Sequence, residues 1–152
     1  MKIKQMVILL VLLVFTISLQ AHENGTHRIS SNADVDTTMS RIKQLVEEKS
    51  MKVFAIVNHA KGASGVGQEL RPTQLIIFGN PKGGTPLMQC NQQVGLDLPL
   101  KMMVWQDEKN QVWISYNEPS YIAKRYDLKQ CGEKVIKNMT DFLELVSFKA
   151  SK

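Results

Sequence analysis

Lys101-Met102-Met103-Val104-Trp105 and Val112-Trp113-Ile114-Ser115-Tyr116 are two short runs of apolar and aromatic residues, separated by the polar stretch Gln106-Asp107-Glu108-Lys109-Asn110-Gln111. Two such runs joined by a polar loop read as strands of one antiparallel hairpin. Upstream, Val53-Phe54-Ala55-Ile56-Val57 has the β-branched and apolar density of a strand buried on both faces. Gln74 to Phe78 reads as a second buried strand, introduced by Arg71-Pro72, since proline is tolerated at the start of a strand and not at its centre.

Helical spacing surrounds these strands. Val35, Met39, Ile42, Leu45 and Val46 recur at intervals of three and four, with Asp34 and Asp36 where a helix dipole favours negative charge, and the segment closes near Lys49. Asn58 to Gly67, with glycines at 62, 65 and 67, reads as a loop or a weak, close-packed helix. Gly79-Asn80-Pro81-Lys82-Gly83-Gly84 reads as a turn, after which Thr85 caps a helix that has Pro86 at its first position and runs to about Val94. Glu118-Pro119 opens a short helix through Tyr126, and Val135, Ile136, Met139, Phe142, Leu143 and Val146 form the apolar stripe of a helix from Glu133 to Phe148. Helices alternate with strands early and a hairpin comes late. The expected class is therefore α+β: a small mixed sheet of about four to five strands with helices packed against it, ending in a long amphipathic C-terminal helix.

The chain opens with Lys2 and Lys4, an apolar run from Met6 to Phe15 and Leu19-Gln20-Ala21. A charged start, a short apolar stretch and a small residue at the end are the pattern of a secretory signal peptide, here residues 1–21, with cleavage after Ala21. The run is short for a membrane span, which needs about 20 apolar residues. An uncleaved anchor is the alternative. After cleavage the chain is expected to be periplasmic or secreted and free of the membrane. Residues 22–33 are polar and read as a flexible leader that includes a short strand at Thr26 to Ser30, and residues 34–150 form a single domain.

The formal charge of the whole chain is +5. Basic and acidic residues are interspersed rather than gathered into a stripe, which argues against nucleic acid as a partner. Cys90 and Cys131 are the two cysteines. In an oxidising compartment they can pair as a disulfide, and two separate buried thiols are the other reading. They are not spaced as a CxxC redox pair.

From about Thr26 to Leu128 the motif order resembles the family catalogued as domain of unknown function 302. The residues that carry the match are Asn58-His59-Ala60, Leu70-Arg71-Pro72-Thr73, Phe78-Gly79-Asn80-Pro81-Lys82, Gly84-Thr85-Pro86-Leu87-Met88, Leu96-Asp97-Leu98-Pro99-Leu100-Lys101, Val104-Trp105 and Val112-Trp113. The resemblance implies a small α+β domain with helices against a mixed sheet, and it implies no activity.

Several residues invite chemical roles. A helix starting after Gly79 to Gly84 would present free N–H groups to an anion beside Asn80, Lys82, Gly84 and Thr85. The phosphate-loop signature is absent, because no lysine stands between Gly84 and Thr85. Arg71 and Lys101 could bind a carboxylate or phosphate that Asp97 orients, or the three could simply pair to fix loops. His59 at a strand end could serve as a general base with Asp97, although no serine elbow accompanies it. Cleavage after Ala21 would leave His22 as the terminal residue, and its amine and imidazole with His27 could chelate copper. Two functions follow as expectations. The first is an exported, non-enzymatic small-ligand-binding or accessory domain, with a second copy of the chain as a candidate partner, whose Gly79 to Thr85 loop and Arg71 hold a small anion. The rival is a small hydrolase or redox enzyme centred on His59 and Asp97.

Overall fold

The structure, a computed structural model, describes residues 25–128 and 130–152. The expected signal peptide and His22 lie outside the described residues. The elements are β1 (Thr26–Ser31), α1 (Val35–Glu48), β2 (Lys52–Asn58), α2 (His59–Ser64), β3 (Thr73–Gly79), α3 (Pro81–Cys90), a 3-10 turn (Gln92–Leu96), β4 (Leu100–Gln106), β5 (Val112–Asn117), α4 (Pro119–Arg125) and α5 (Glu133–Ala150).

The five strands form one sheet in the order β1-β5-β4-β3-β2. The α+β class, the late hairpin and the long C-terminal helix are as expected. The sheet, however, is antiparallel throughout rather than mixed. Parallel neighbours need a crossover long enough to run back along the sheet. The 14-residue α1 is such a crossover, but it joins β1 to β2, which stand at opposite edges. The connection from β2 to β3 holds only the short α2 and returns the chain along its neighbour, so β2 and β3 are antiparallel.

One face of the sheet is the core. Ile76 and Phe78 of β3, Met102 and Val104 of β4 and Ile114 of β5 are fully buried, because alternate residues of a strand point the same way. Val35, Met39, Ile42 and Val46 of α1 and Met139, Leu143 and Val146 of α5 cover them. The α1 start is fixed by Asp34, whose carboxylate accepts the Thr37 N–H at 2.7 Å and is thereby held below the usual carboxylate range. Inside the core the Ser31 and Thr38 hydroxyls satisfy each other at 2.8 Å, tying β1 to α1.

Three further expectations need correction. The leader is not flexible from Thr26 onward, since Thr26–Ser31 pairs residue for residue with β5 from Asn117 to Val112 and Asn32 N–H donates to the Ser151 carbonyl. β2 is not buried on both faces; it is an edge strand with most of its residues exposed, because α1 carries the chain past three other strands before β2 is laid down. The helix after β3 begins a turn earlier than the Thr85-Pro86 signal suggested. Asn80 is its cap, Pro81 takes the first helical position, and Pro86 falls inside the helix. An Asn-Pro pair is as good a start as Thr-Pro, and the earlier of the two prevails.

Candidate functional site

A cleft of about 450 Å³ opens beside the first turns of α3. Phe54 from β2, Met88 from α3, Leu98 and Pro99 from the segment before β4, and Val135 and Met139 from α5 give it apolar walls. Gly79, Gly83, Gly84 and Gly95 contribute bare backbone. Lys82, Thr85 and Asn138 add polar groups, and Lys82 is exposed. A mostly apolar concavity with a few polar groups is the form small-molecule sites take.

The segment is built locally by Asn80. Its Oδ1 accepts the Lys82 N–H at 2.9 Å, and its carbonyl accepts the N–H groups of Gly83 and Gly84 at 2.9 and 3.2 Å. Pro81 has no N–H to offer. The start of α3 therefore has its donors occupied from within, unlike the open N–H cradle expected of the Gly79 to Thr85 loop. What these residues contribute instead is space: two consecutive glycines leave the helix without side chains where it borders the cleft.

The remaining candidate residues are dispersed. Arg71 precedes β3 and donates its Nε–H to the Gln106 carbonyl at 3.1 Å. Gly79 is at the other end of β3, roughly 20 Å away along a strand, so Arg71 and Lys82 do not share a ligand-sized site. Lys101 donates to the carbonyls of Asp97 and Pro99 at 3.0 and 2.9 Å, stapling the turn before β4. The Asp97 carboxylate pairs with Arg125 of α4 at 3.4 Å. It also faces the Tyr126 hydroxyl, and that side-chain contact, followed by burial and by the carboxylate's charge, raises the Tyr126 phenol above its ordinary pKa. The structure thus brings Asp97, Lys101 and Arg125 together as a loop-fixing group.

His59 opens α2, exposed, beside Asn58, which pairs with Gln74. Asp97 precedes Leu100, which pairs with Phe78, at least roughly 13 Å farther along β3. These two residues are not in reach of one another. His27 stacks on Tyr116 with ring centroids 5.0 Å apart. Among the described residues no group of three or more His, Cys, Asp or Glu is placed to hold a metal ion. Cys90 at the end of α3 and Cys131 before α5 are joined as a disulfide, with Cα atoms 6.0 Å apart.

Phe54, Met88, Leu98, Pro99, Val135 and Met139 were not among the residues the sequence singled out. Phe54, Val135 and Met139 belong to apolar runs read as packing, and Met88, Leu98 and Pro99 stand in motifs that carry the family resemblance without pointing to a cleft. The one hint was Gly83-Gly84, since paired glycines in a helix mark a place where backbone must be approached closely.

Comparison with known proteins places the fold. A solved structure described as an uncharacterised conserved DUF302 protein from Bacillus stearothermophilus superimposes with a TM-score of 0.74, covering 84% of this chain and 98% of that one at 14% identity. Two proteins named fluoride-specific ion channel FluC 1, from Brucella suis biovar 1 (strain 1330) and Brucella abortus biovar 1 (strain 9-941), are each 38% identical over 117 residues, 77% of this chain. That stretch is 46% and 43% of their respective lengths, so the chain spans less than half of these relatives. Among the described residues no helix is long and apolar enough to cross a membrane. The family model for the domain of unknown function DUF302 matches residues 27–146, and this chain belongs to that family.

Proposed function

We propose that this chain is a non-enzymatic accessory domain that binds a small amphipathic molecule in the cleft beside α3, apolar body inward and anionic head toward Lys82. The observation that carries the reading is the lining of that cleft: apolar walls from four separate elements, a glycine-bare helix start and one exposed lysine. Its volume lies within the range of small-molecule sites. The separation of His59 from Asp97 supports binding over catalysis. The accessory character is supported by the relatives named as fluoride channels, in which the similar stretch forms less than half of a longer protein. Action outside the cytoplasm is supported by Lys2, Lys4 and the apolar run that follows, and by the Cys90–Cys131 disulfide.

The test is thermal stabilisation by straight-chain carboxylates of roughly six to twelve carbons, lengths suited to a cleft of this size, with the matching alcohols and fluoride as separate arms. A ligand that binds only the folded state raises Tm. Carboxylates should do so increasingly with length, Lys82→Ala should narrow their advantage over alcohols, and Gly84→Leu should remove both responses. No response at any length in the wild type overturns the reading, and a response to fluoride alone redirects it to the small ion.

A further inference from the structure

Three thioethers reach the cleft from separate parts of the chain. Met51 stands between α1 and β2, Met88 in α3 and Met139 in α5, and all three line it. Bare backbone gives two of them their room. A Cβ at Gly83 would meet only the Met139 methyl, at 4.0 Å. One at Gly84 would meet the Met88 methyl at 4.0 Å besides Leu98, and one at Gly95 would meet only the Met88 sulfur, at 3.5 Å. Gly84 and Met88 are four residues apart on α3, so the Met88 side chain lies back over Gly84. Met139 comes to the neighbouring Gly83 from α5, and no side chain at either glycine separates the two.

We propose that Met51, Met88 and Met139 form a binding site for a soft, singly charged metal ion, copper(I). Thioether sulfur is a soft, neutral donor, and such donors select copper(I) over hard ions such as magnesium and calcium. Charge sets the valence. Among the described residues that line the cleft there is no His, Cys, Asp or Glu, and Lys82 is the one charged group. A divalent ion would carry two uncompensated charges against an apolar wall, at a high cost in lost hydration. A monovalent ion brings one, and the exposed Lys82 can turn its amine to water. Methionine supplies the adaptability as well, since three rotatable bonds let each sulfur re-aim toward a common centre while the backbone stays in place.

The cysteines leave this role to methionine. A metal takes sulfur from cysteine as the thiolate, and Cys90 and Cys131 are joined to each other. The thioethers are then the sulfur donors the chain has left. The metal site shares the cleft with the amphipathic ligand but does not use its lysine, so the two readings stand or fall separately.

Silver(I), a soft monovalent ion that needs no reductant to keep its valence, is the probe, titrated into tag-free protein with the disulfide intact. The wild type should bind one ion per chain and prefer it to zinc(II) and magnesium. Met51→Leu and Met88→Leu keep volume and apolarity. Each should weaken silver(I) binding about tenfold or more, since a lost ligand costs at least what a lost outer-shell partner does. Adding Met139→Leu should abolish it; Met139 is buried, so where that replacement disturbs the fold the Met51→Leu, Met88→Leu double variant decides. Lys82→Ala should not weaken silver(I) binding, although it narrows the advantage of carboxylates over alcohols. X-ray absorption of the copper(I)-loaded wild type should show sulfur neighbours alone. No silver(I) binding by the wild type overturns the inference. So does binding that the double variant leaves unchanged, or a nitrogen shell around copper, since the ion then sits elsewhere, on a histidine.

Discussion

The indole N–H of Trp113 donates to Asp107 Oδ2 at 2.8 Å, fastening the second residue of β5 to the turn that leaves β4. The other oxygen of the same carboxylate accepts the N–H groups of Lys109 and Gln111, both at 2.9 Å. One side chain thus closes the hairpin, and its polar loop is a shaped turn rather than a slack connection.

That arrangement makes stability sensitive to acid. The Trp113 bond, followed by those from Gln111 and Lys109, holds Asp107 below its ordinary value of 3.8. Asp34 is lowered in the same direction by the Thr37 N–H. A carboxylate whose folded pKa is depressed stabilises fully above its unfolded value, and the contribution is lost as pH falls through the folded one. Tm should therefore drop as pH falls below about 4. Asp107→Asn, which keeps a carbonyl for the turn but loses the acceptor for Trp113, should melt lower at neutral pH and show a shallower acid decline. Thermal melts across pH check this, and parallel curves for variant and wild type would count against it.

Gly132 precedes α5 with φ +89°. A Cβ there would come within 2.5 Å of Leu87 Cδ2, a side chain that is itself fully buried. Gly132→Ala combines the strain of a left-handed alanine with a crowded core contact. It should cost about 2 to 3 kcal/mol. Urea denaturation measures it, and a loss under about 0.5 kcal/mol would mean that the turn rearranges freely.

The disulfide joins α3 to the start of α5 across 41 residues. Chain-entropy reasoning gives about 3 to 4 kcal/mol for closing a loop of that length. Denaturation with and without reductant should show this loss in the wild type and no difference in a Cys90→Ala, Cys131→Ala double variant. The cleft draws its walls from α3 and α5 together, so reduction should also lower ligand affinity.

Much of this architecture was legible in the residues. The stripe of Val35, Met39, Ile42 and Val46 and that of Met139, Leu143 and Val146 are the buried faces of α1 and α5. What escaped was arrangement. Val53 to Val57 looks buried by composition, and only the path of α1 across the sheet reveals that β2 lies at an edge. The anion reading of Gly79 to Thr85 depended on free N–H groups, and two helix starts stand side by side there, Asn80-Pro81 and Thr85-Pro86, of which the earlier puts Asn80 where it occupies them. His59 and Asp97 are both chemically able residues, but strand register separates them. The cleft escaped for a related reason: its walls come from segments as distant as Phe54 and Met139, each apolar for what looks like ordinary packing.

Gly83 and Gly84 give the cleft its sharpest test. Glycine within a helix costs about 0.5 to 1 kcal/mol relative to alanine. An added Cβ at Gly83 would meet only Met139 Cε, at 4.0 Å, and one at Gly84 would meet Leu98 Cδ1 at 3.4 Å and Met88 Cε at 4.0 Å. Those are ordinary contacts, so packing does not demand glycine at either position. The chain forgoes helix stability here, and the open space it keeps is the cleft. Gly83→Ala with Gly84→Ala should therefore raise stability by about 1 kcal/mol while weakening carboxylate binding, as two methyl groups enter the space the ligand needs. Chemical denaturation and ligand titration on the same variant separate the effects. If stability falls, the glycines serve packing after all. If stability rises and binding is untouched, the ligand does not approach this helix.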